Sequence, residues 1–221
     1  MKTAVFILFL IDIKVMNIIQ QASYNNNDYA IDGREYLFKG FIQVEKLNLR
    51  HRLFKQSDYT SVIQRELVHR PEAAGVLIYS LQQQKFALIE QFRVGAIDDA
   101  VSPWQLEIIA GVLDGDESAE SCIRRESLEE SGCALNQLQH LFSFYPSAGA
   151  CSELFHLYVA EAHLPEHGGI FGVPDEGENI LLHILNFTDL PELMVNGRLK
   201  NAPVIMALQW LQQKIHNMQN V

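Results

Sequence analysis

Basic residues are few in this chain: 17 Lys and Arg stand against 27 Asp and Glu, for a formal net charge of −10. A surface of that sign repels polyanions and argues against a nucleic-acid groove. It leaves room for a phosphate-bearing small molecule, because a bound dication reverses the sign locally. Cysteine is scarcer still. Cys122, Cys133 and Cys151 are widely spaced, odd in number and without a metal-ligand pattern, which fits reduced thiols in a cytoplasmic protein rather than a disulfide scaffold. The eight histidines show no zinc spacing. His156 and His183 fall in strand-like runs, where structural roles are expected. There is no internal repeat, and no low-complexity tract beyond residues 25–27. No apolar run reaches bilayer length. The run at 4–11, behind Lys2, resembles a short signal peptide, but Asp12 and Lys14 interrupt it and no A-x-A site follows. Residues 1–22 therefore read as an extension of undecided status, with Met16 as an alternative translation start.

Apolar residues, by contrast, make up 48% of the 221 positions, enough for a sizeable core in one domain or one domain with an appendage. The region 36–70 reads as strands, with imperfect alternation over 41–53 and 59–68. Pro71 marks a break. Two apolar runs, 73–79 and 86–92, flank a polar turn at 82–84 and predict a hairpin whose first strand is buried on both faces. Residues 106–110 read as one short buried strand. Ser118 is a helix N-cap candidate and Gly132 a C′ candidate, with Ala119, Cys122 and Ile123 on the buried side. Strands follow at 138–145, 154–160 and 180–187, the last after a glycine-rich acidic loop at 167–178. Helices near 190–195 and 203–215 close the chain, the second turning Ile205, Leu208 and Leu211 or Trp210 inward. The pattern predicts an α/β (α+β) fold, with helices layered on a mixed sheet after a small β domain.

The segment 111–133, GVLDGDESAESCIRRESLEESGC, carries the chemistry. Glu126, Glu129 and Glu130 stand three and four apart, so a helix places them on one face. Converging carboxylates repel unless a cation lies among them, and hard oxygen ligands favour magnesium or manganese over zinc. A solvated acidic face is the bland alternative. Hydrolysis of a diphosphate needs charge neutralisation, an activated water and a stabilised leaving phosphate, all of which such ions supply. Arg125 is expected to pair with a carboxylate such as Glu117. A metal-bound glutamate makes a poor base, so the loop holding Asp175, Glu176 and Glu178 offers the remaining candidates.

Gly111, Glu117, Arg125, Glu126, Glu129, Glu130 and Gly132 match G-x5-E-x7-R-E-U-x-E-E-x-G-U, where U is bulky and aliphatic. This resembles the Nudix hydrolases; Ser127 and Cys133 depart at two aliphatic positions. SPWQLEIIAGVLDGDES, FSFYPSAGACSE, PDEGENI, NAPVIMALQWLQ, KGFIQVEKLNLRHRLF, QREL and EQFR extend the likeness over about residues 36–212 to the ADP-ribose pyrophosphatases of that superfamily. The resemblance implies a Nudix α/β/α sandwich over 72–221, preceded by an antiparallel β domain over 23–71 that is exchanged in a homodimer. It implies Ala110 (through its carbonyl), Glu126, Glu130 and Glu178 as magnesium ligands, Glu176 as catalytic base, and Glu129 as an auxiliary catalytic group. It places Phe41 and Ile42 at the adenine, from the partner subunit. Arg65, Glu66, Arg70, Arg93, Val112, Ser147, Ala148, Gly149 and Glu153 fall at further substrate contacts. Ala148 stands where family members commonly carry proline. The expectation is magnesium-dependent hydrolysis of ADP-ribose to AMP and ribose 5-phosphate. The rival readings are a nucleotide-sugar hydrolase, for example of GDP-mannose, a noncatalytic nucleotide sensor, or an acidic structural protein.

Overall fold

The computed structural model describes residues 22–219, apart from the side chains of Glu176 and Gln219. The apolar run at 4–11 and the alternative start at Met16 lie outside the described residues. The chain divides between Val68 and His69 into two compact units.

The first unit holds a three-stranded sheet in the order β1 (Tyr29–Lys39), β2 (Gln43–His51), β3 (Ile63–His69). β1 begins earlier than alternation suggested, because its register with β2 shifts twice, at Ile31/Gly33 and Tyr36/Phe38. Each shift breaks the two-residue period by which a strand is recognised. Phe41 and Ile42, expected in a strand, lie in the turn between β1 and β2, where Gly40 N donates to the Ile42 carbonyl at 3.0 Å.

The second unit is built on an eight-stranded mixed sheet. Its continuous path runs β10 (Ile170–Phe171), β11 (Ile180–Asn186), β5 (Lys85–Phe92), β4 (Ala73–Ser80), β9 (Phe155–Glu161), β8 (Gln139–Phe144). β4 pairs parallel with β9 and antiparallel with β5. All eight residues of β4 are buried, as expected of a central strand covered on both faces. Leu77 and Tyr79 point into a core closed by the last helix, while Val76 and Ile78 point into another closed by the acidic helix. That last helix, α3 (Ala202–Gln219), follows the short α2 (Leu190–Leu193) and buries Val204, Ala207, Leu208 and Leu211. Ile205 and Trp210 are half-buried, Trp210 lying edge-on to Tyr79 at 5.6 Å.

The single strand expected at 106–110 is two strands. β4 and β5 pair beside their connecting turn, at Tyr79↔Phe86 and Ser80↔Lys85. Beyond it β5 pairs with β6 (Trp104–Glu107) and β4 with β7 (Ile109–Val112). Residues 104–112 thus fill a wedge between diverging strands, crossing from one to the other at the buried Ile108. A short run that is apolar but for Glu107 carries no mark of such a change of partner.

Candidate active site

β7 leads from the centre of this wedge into the acidic segment. The helix that follows, α1 (Ala119–Ser131), starts where Ser118 Oγ accepts the amide of Ser121 at 3.1 Å. It ends at Gly132, whose φ of 68° is the left-handed conformation that glycine adopts without strain. The two departures from the aliphatic pattern answer each other: Ser127, fully buried, donates through Oγ to the Cys133 carbonyl at 2.7 Å. Cys122 and Ile123 anchor the helix in the core. Burial, with the charges of Glu126 and Glu117 beside it, pushes the Cys122 thiol up to about 12.

The same side of α1 also faces β7, where Cys122 Sγ lies 3.6 Å from the Val112 carbonyl. Glu126 lies so close over the strand that a Cβ on Gly111 would stand 1.8 Å from its carboxylate oxygen. Glycine at this position is therefore the cradle for the Glu126 carboxylate. Glu130, nearly buried, accepts the Ala110 amide at 3.1 Å. Burial pushes its carboxyl up to about 8, the Ala110 N–H restrains the rise, and the charges of Glu126 and Glu178 add to it. Burial also raises Glu126, against the pull of Arg125, with Glu129 and Glu178 contributing repulsion. Glu178 is thus within electrostatic reach of both helix carboxylates. It caps its own loop by accepting the Val173 amide at 3.1 Å. The loop is tied to α1 where Gly172 N donates to the Glu129 carbonyl at 3.2 Å.

Arg125 grips Glu117 with Nε and Nη2 at 3.2 and 3.0 Å, as its sequence position suggested. Its Nη1 also reaches Glu126 at 2.7 Å and Glu129 at 3.1 Å. Among the described residues, no three carboxylate, thiol or imidazole groups already surround one point. The donor set nevertheless suits a hard dication. It is all oxygen, two of its members are raised by burial, and Glu126 has only to exchange Arg125 for the ion.

The other expected site residues fall in several places. Glu176 sits in a single turn, Pro174–Glu176, closed by Gly177 at φ 74°. Val112 ends β7, half-exposed, and its carbonyl is 3.5 Å from Arg125 Nη2. Ser147, Ala148 and Gly149 form an exposed turn in which the Ser147 carbonyl accepts the amides of Ala150 and Cys151 at 3.1 and 2.9 Å. Arg70 and Glu153 are brought together as an ion pair at 2.7 Å. Arg93 follows β5 and binds Glu107, at 2.7 Å through Nη2. In the first unit, Phe41 is fully exposed at its turn, and Arg65 and Glu66 lie exposed on β3. Arg65 and Glu66, but not Phe41, line a shallow depression with Lys46 and Gln64. Glu107 and Asn201 received no role from the sequence; the only hint of Glu107 was a charge inside an apolar strand run.

A NUDIX domain is recognised over residues 69–207, and the chain belongs to that family of hydrolases. It is 35% identical over 190 residues to the ADP-ribose pyrophosphatase of Escherichia coli K12, covering 86% of this chain and 90% of that one. It is 33% identical over 202 residues to the ADP-ribose pyrophosphatase of Haemophilus influenzae, covering 90% and 92%. It is also 38% identical over 180 residues to the GDP-mannose pyrophosphatase of Yersinia pestis, covering 80% and 88%. A crystal structure of an ADP compounds hydrolase superimposes with a TM-score of 0.66 at 21% identity, over 90% of this chain and all of that one; at that identity the likeness speaks for the fold.

Proposed function

We propose that this chain hydrolyses the diphosphate of ADP-ribose, with magnesium, to AMP and ribose 5-phosphate. The observation that supports the chemistry is the pair of carboxylates packed against β7, Glu126 over Gly111 and Glu130 on the Ala110 amide, with Glu178 within electrostatic reach of both. The substrate rests on the identity to ADP-ribose pyrophosphatases along nearly the whole chain.

These three carboxylates, with the Ala110 carbonyl, would hold the ion. A dication there neutralises phosphate charge and lowers the pKa of a bound water. Glu176 accepts the proton of the attacking water, Glu129 assists at the metal site, and the bridging P–O–P bond breaks as water oxygen joins one phosphorus. Arg93 contacts the diphosphate or adjoining ribose, and Arg70, Glu153, Val112 and the 147–149 turn complete the pocket wall. Phe41, Ile42, Arg65 and Glu66 are supplied by a second copy in a homodimer. The three free thiols fit a reducing cytoplasm.

Product analysis from ADP-ribose in oxygen-18 water, with magnesium, tests substrate and attacked phosphorus together. AMP and ribose 5-phosphate are expected, with label on one of them. The Yersinia relative supports a second reading, GDP-mannose hydrolysis. A panel of nucleoside diphosphate compounds decides, and faster turnover of GDP-mannose than of ADP-ribose would refute the first reading.

A further inference from the structure

Glu107 is an almost fully buried carboxylate at the end of β6, outside the acidic helix. Its oxygens gather donors from two separate stretches of chain, the end of β5 and the segment before the last helix. Arg93 Nε reaches both, at 3.1 Å each, and Arg93 Nη2 reaches Oε2 at 2.7 Å. Gln91 Nε2 lies at 3.5 Å and Asn201 Nδ2 at 3.1 Å. A planar guanidinium carries five N–H donors in a fixed fork. Glu107 occupies the Nε–Nη2 edge and, among the described residues, leaves Nη1 unclaimed. Arg93 is held from behind, yet its side chain remains 45% exposed. The charges of Glu130 and Glu178 also act on it, so it borders the carboxylate site.

The segment that brings Asn201 is itself strapped down. Arg198 Nη2 binds Glu90 at 2.6 Å, and Glu90 also accepts His183 Nε2 at 2.9 Å. Lys200 Nζ binds both Asp99 oxygens at 2.6 Å. Three of the four residues from 198 to 201 thus fasten to the β5–β6 hairpin or the loop within it. An ordinary surface ion pair has neither a buried carboxylate nor a third element bracing it.

We propose that Glu107 is a positioning residue. It fixes the Arg93 guanidinium so that Nη1 is presented to the substrate's diphosphate, and the strap at 198–201 holds Glu107 through Asn201. The inference rests on the pyrophosphatase reading above, and specifically on Arg93 meeting the diphosphate. Every compound of the panel carries a diphosphate, so the assay uses whichever one the wild-type chain hydrolyses fastest. A preference for GDP-mannose would overturn the ADP-ribose reading and leave this one standing.

Steady-state kinetics are measured for Glu107→Gln, Arg93→Ala and the double variant, each with a melting curve. Glu107→Gln keeps the shape but weakens a charge-assisted contact. It should raise KM roughly tenfold with kcat within about twofold of wild type. The double variant should be no worse than Arg93→Ala alone, because Glu107 acts through Arg93. An unchanged KM in folded Glu107→Gln, or effects that add in the double variant, would overturn the proposal. If Glu107→Gln does not fold, Asn201→Ala serves instead: KM should rise about threefold with kcat maintained, and an unchanged KM overturns the role of the strap and of Glu107 with it.

Discussion

At the scale of single residues, the site is a contest between burial and charge. Gly111 accepts φ/ψ values open to any residue, since its φ is not positive. Its requirement is space, because the Glu126 carboxylate occupies the position a Cβ would take. Gly111→Ala should therefore fold, since the obstructed group is the far end of a flexible side chain, but lose activity by about a hundredfold or more through displacement of Glu126. A melting curve beside a rate measurement checks both halves. Glu130 allows a signed prediction. Its folded pKa, about 8, lies above the ordinary carboxylate value of 4.5, so folding favours the protonated form. In the metal-free protein that contribution is full below the ordinary value and is lost as pH rises through about 8. Glu130→Gln, which mimics the protonated form, should melt at nearly the wild-type temperature at pH 5 and several degrees above it near pH 9, with no turnover at either. A dication competes with the same proton, so its apparent affinity should fall by about tenfold per pH unit below pH 8. Calorimetric titration with magnesium reads that slope.

At the scale of elements, the loop–helix–loop was the most legible part of the chain. Ser118 and Gly132 mark the ends of α1 by residue type alone, because an N-cap needs a short side-chain acceptor and a left-handed cap favours glycine. Spacing alone put Glu126 and Glu130 on one face. It did not say that Ser127 would compensate for Cys133 by binding its carbonyl. Ser127→Ala should cost about 1–3 kcal/mol, since it leaves a buried carbonyl without its donor, and Ser127→Val, which restores the aliphatic residue of the motif, should cost as much for the same reason. Urea unfolding measures both; a neutral Ser127→Val would show that the carbonyl finds another donor. The β6–β7 wedge was hidden for a different reason. Apart from Gln105 and Glu107 its residues are apolar, and so short a run gives periodicity no means to reveal the crossing at Ile108.

At the scale of the whole molecule, the proposed homodimer makes each site depend on two chains. The folded enzyme should run at twice its 25.1 kDa chain mass in solution, as light scattering will show. Arg65→Ala and Glu130→Gln, each impaired alone, should complement when unfolded and refolded as an equal mixture. Half of the dimers are then mixed, with one intact site each, so roughly a quarter of wild-type activity should return. No gain over the separate variants would mean that each site is built from one chain.

The order of side chains along the polymer was enough for the apolar hairpin at β4 and β5, for the capped acidic helix and for the carboxylate pair one turn apart. These depend on contacts between near neighbours, which periodicity and cap chemistry express directly. Packing across the sheet decided the rest. It brought Glu178 from the 172–178 loop into the field of Glu126 and Glu130, and it gathered Arg93 and Asn201 onto the buried carboxylate of Glu107. Such distant meetings leave no local period behind, because strand pairing and desolvation bring together residues that the chain keeps tens of positions apart.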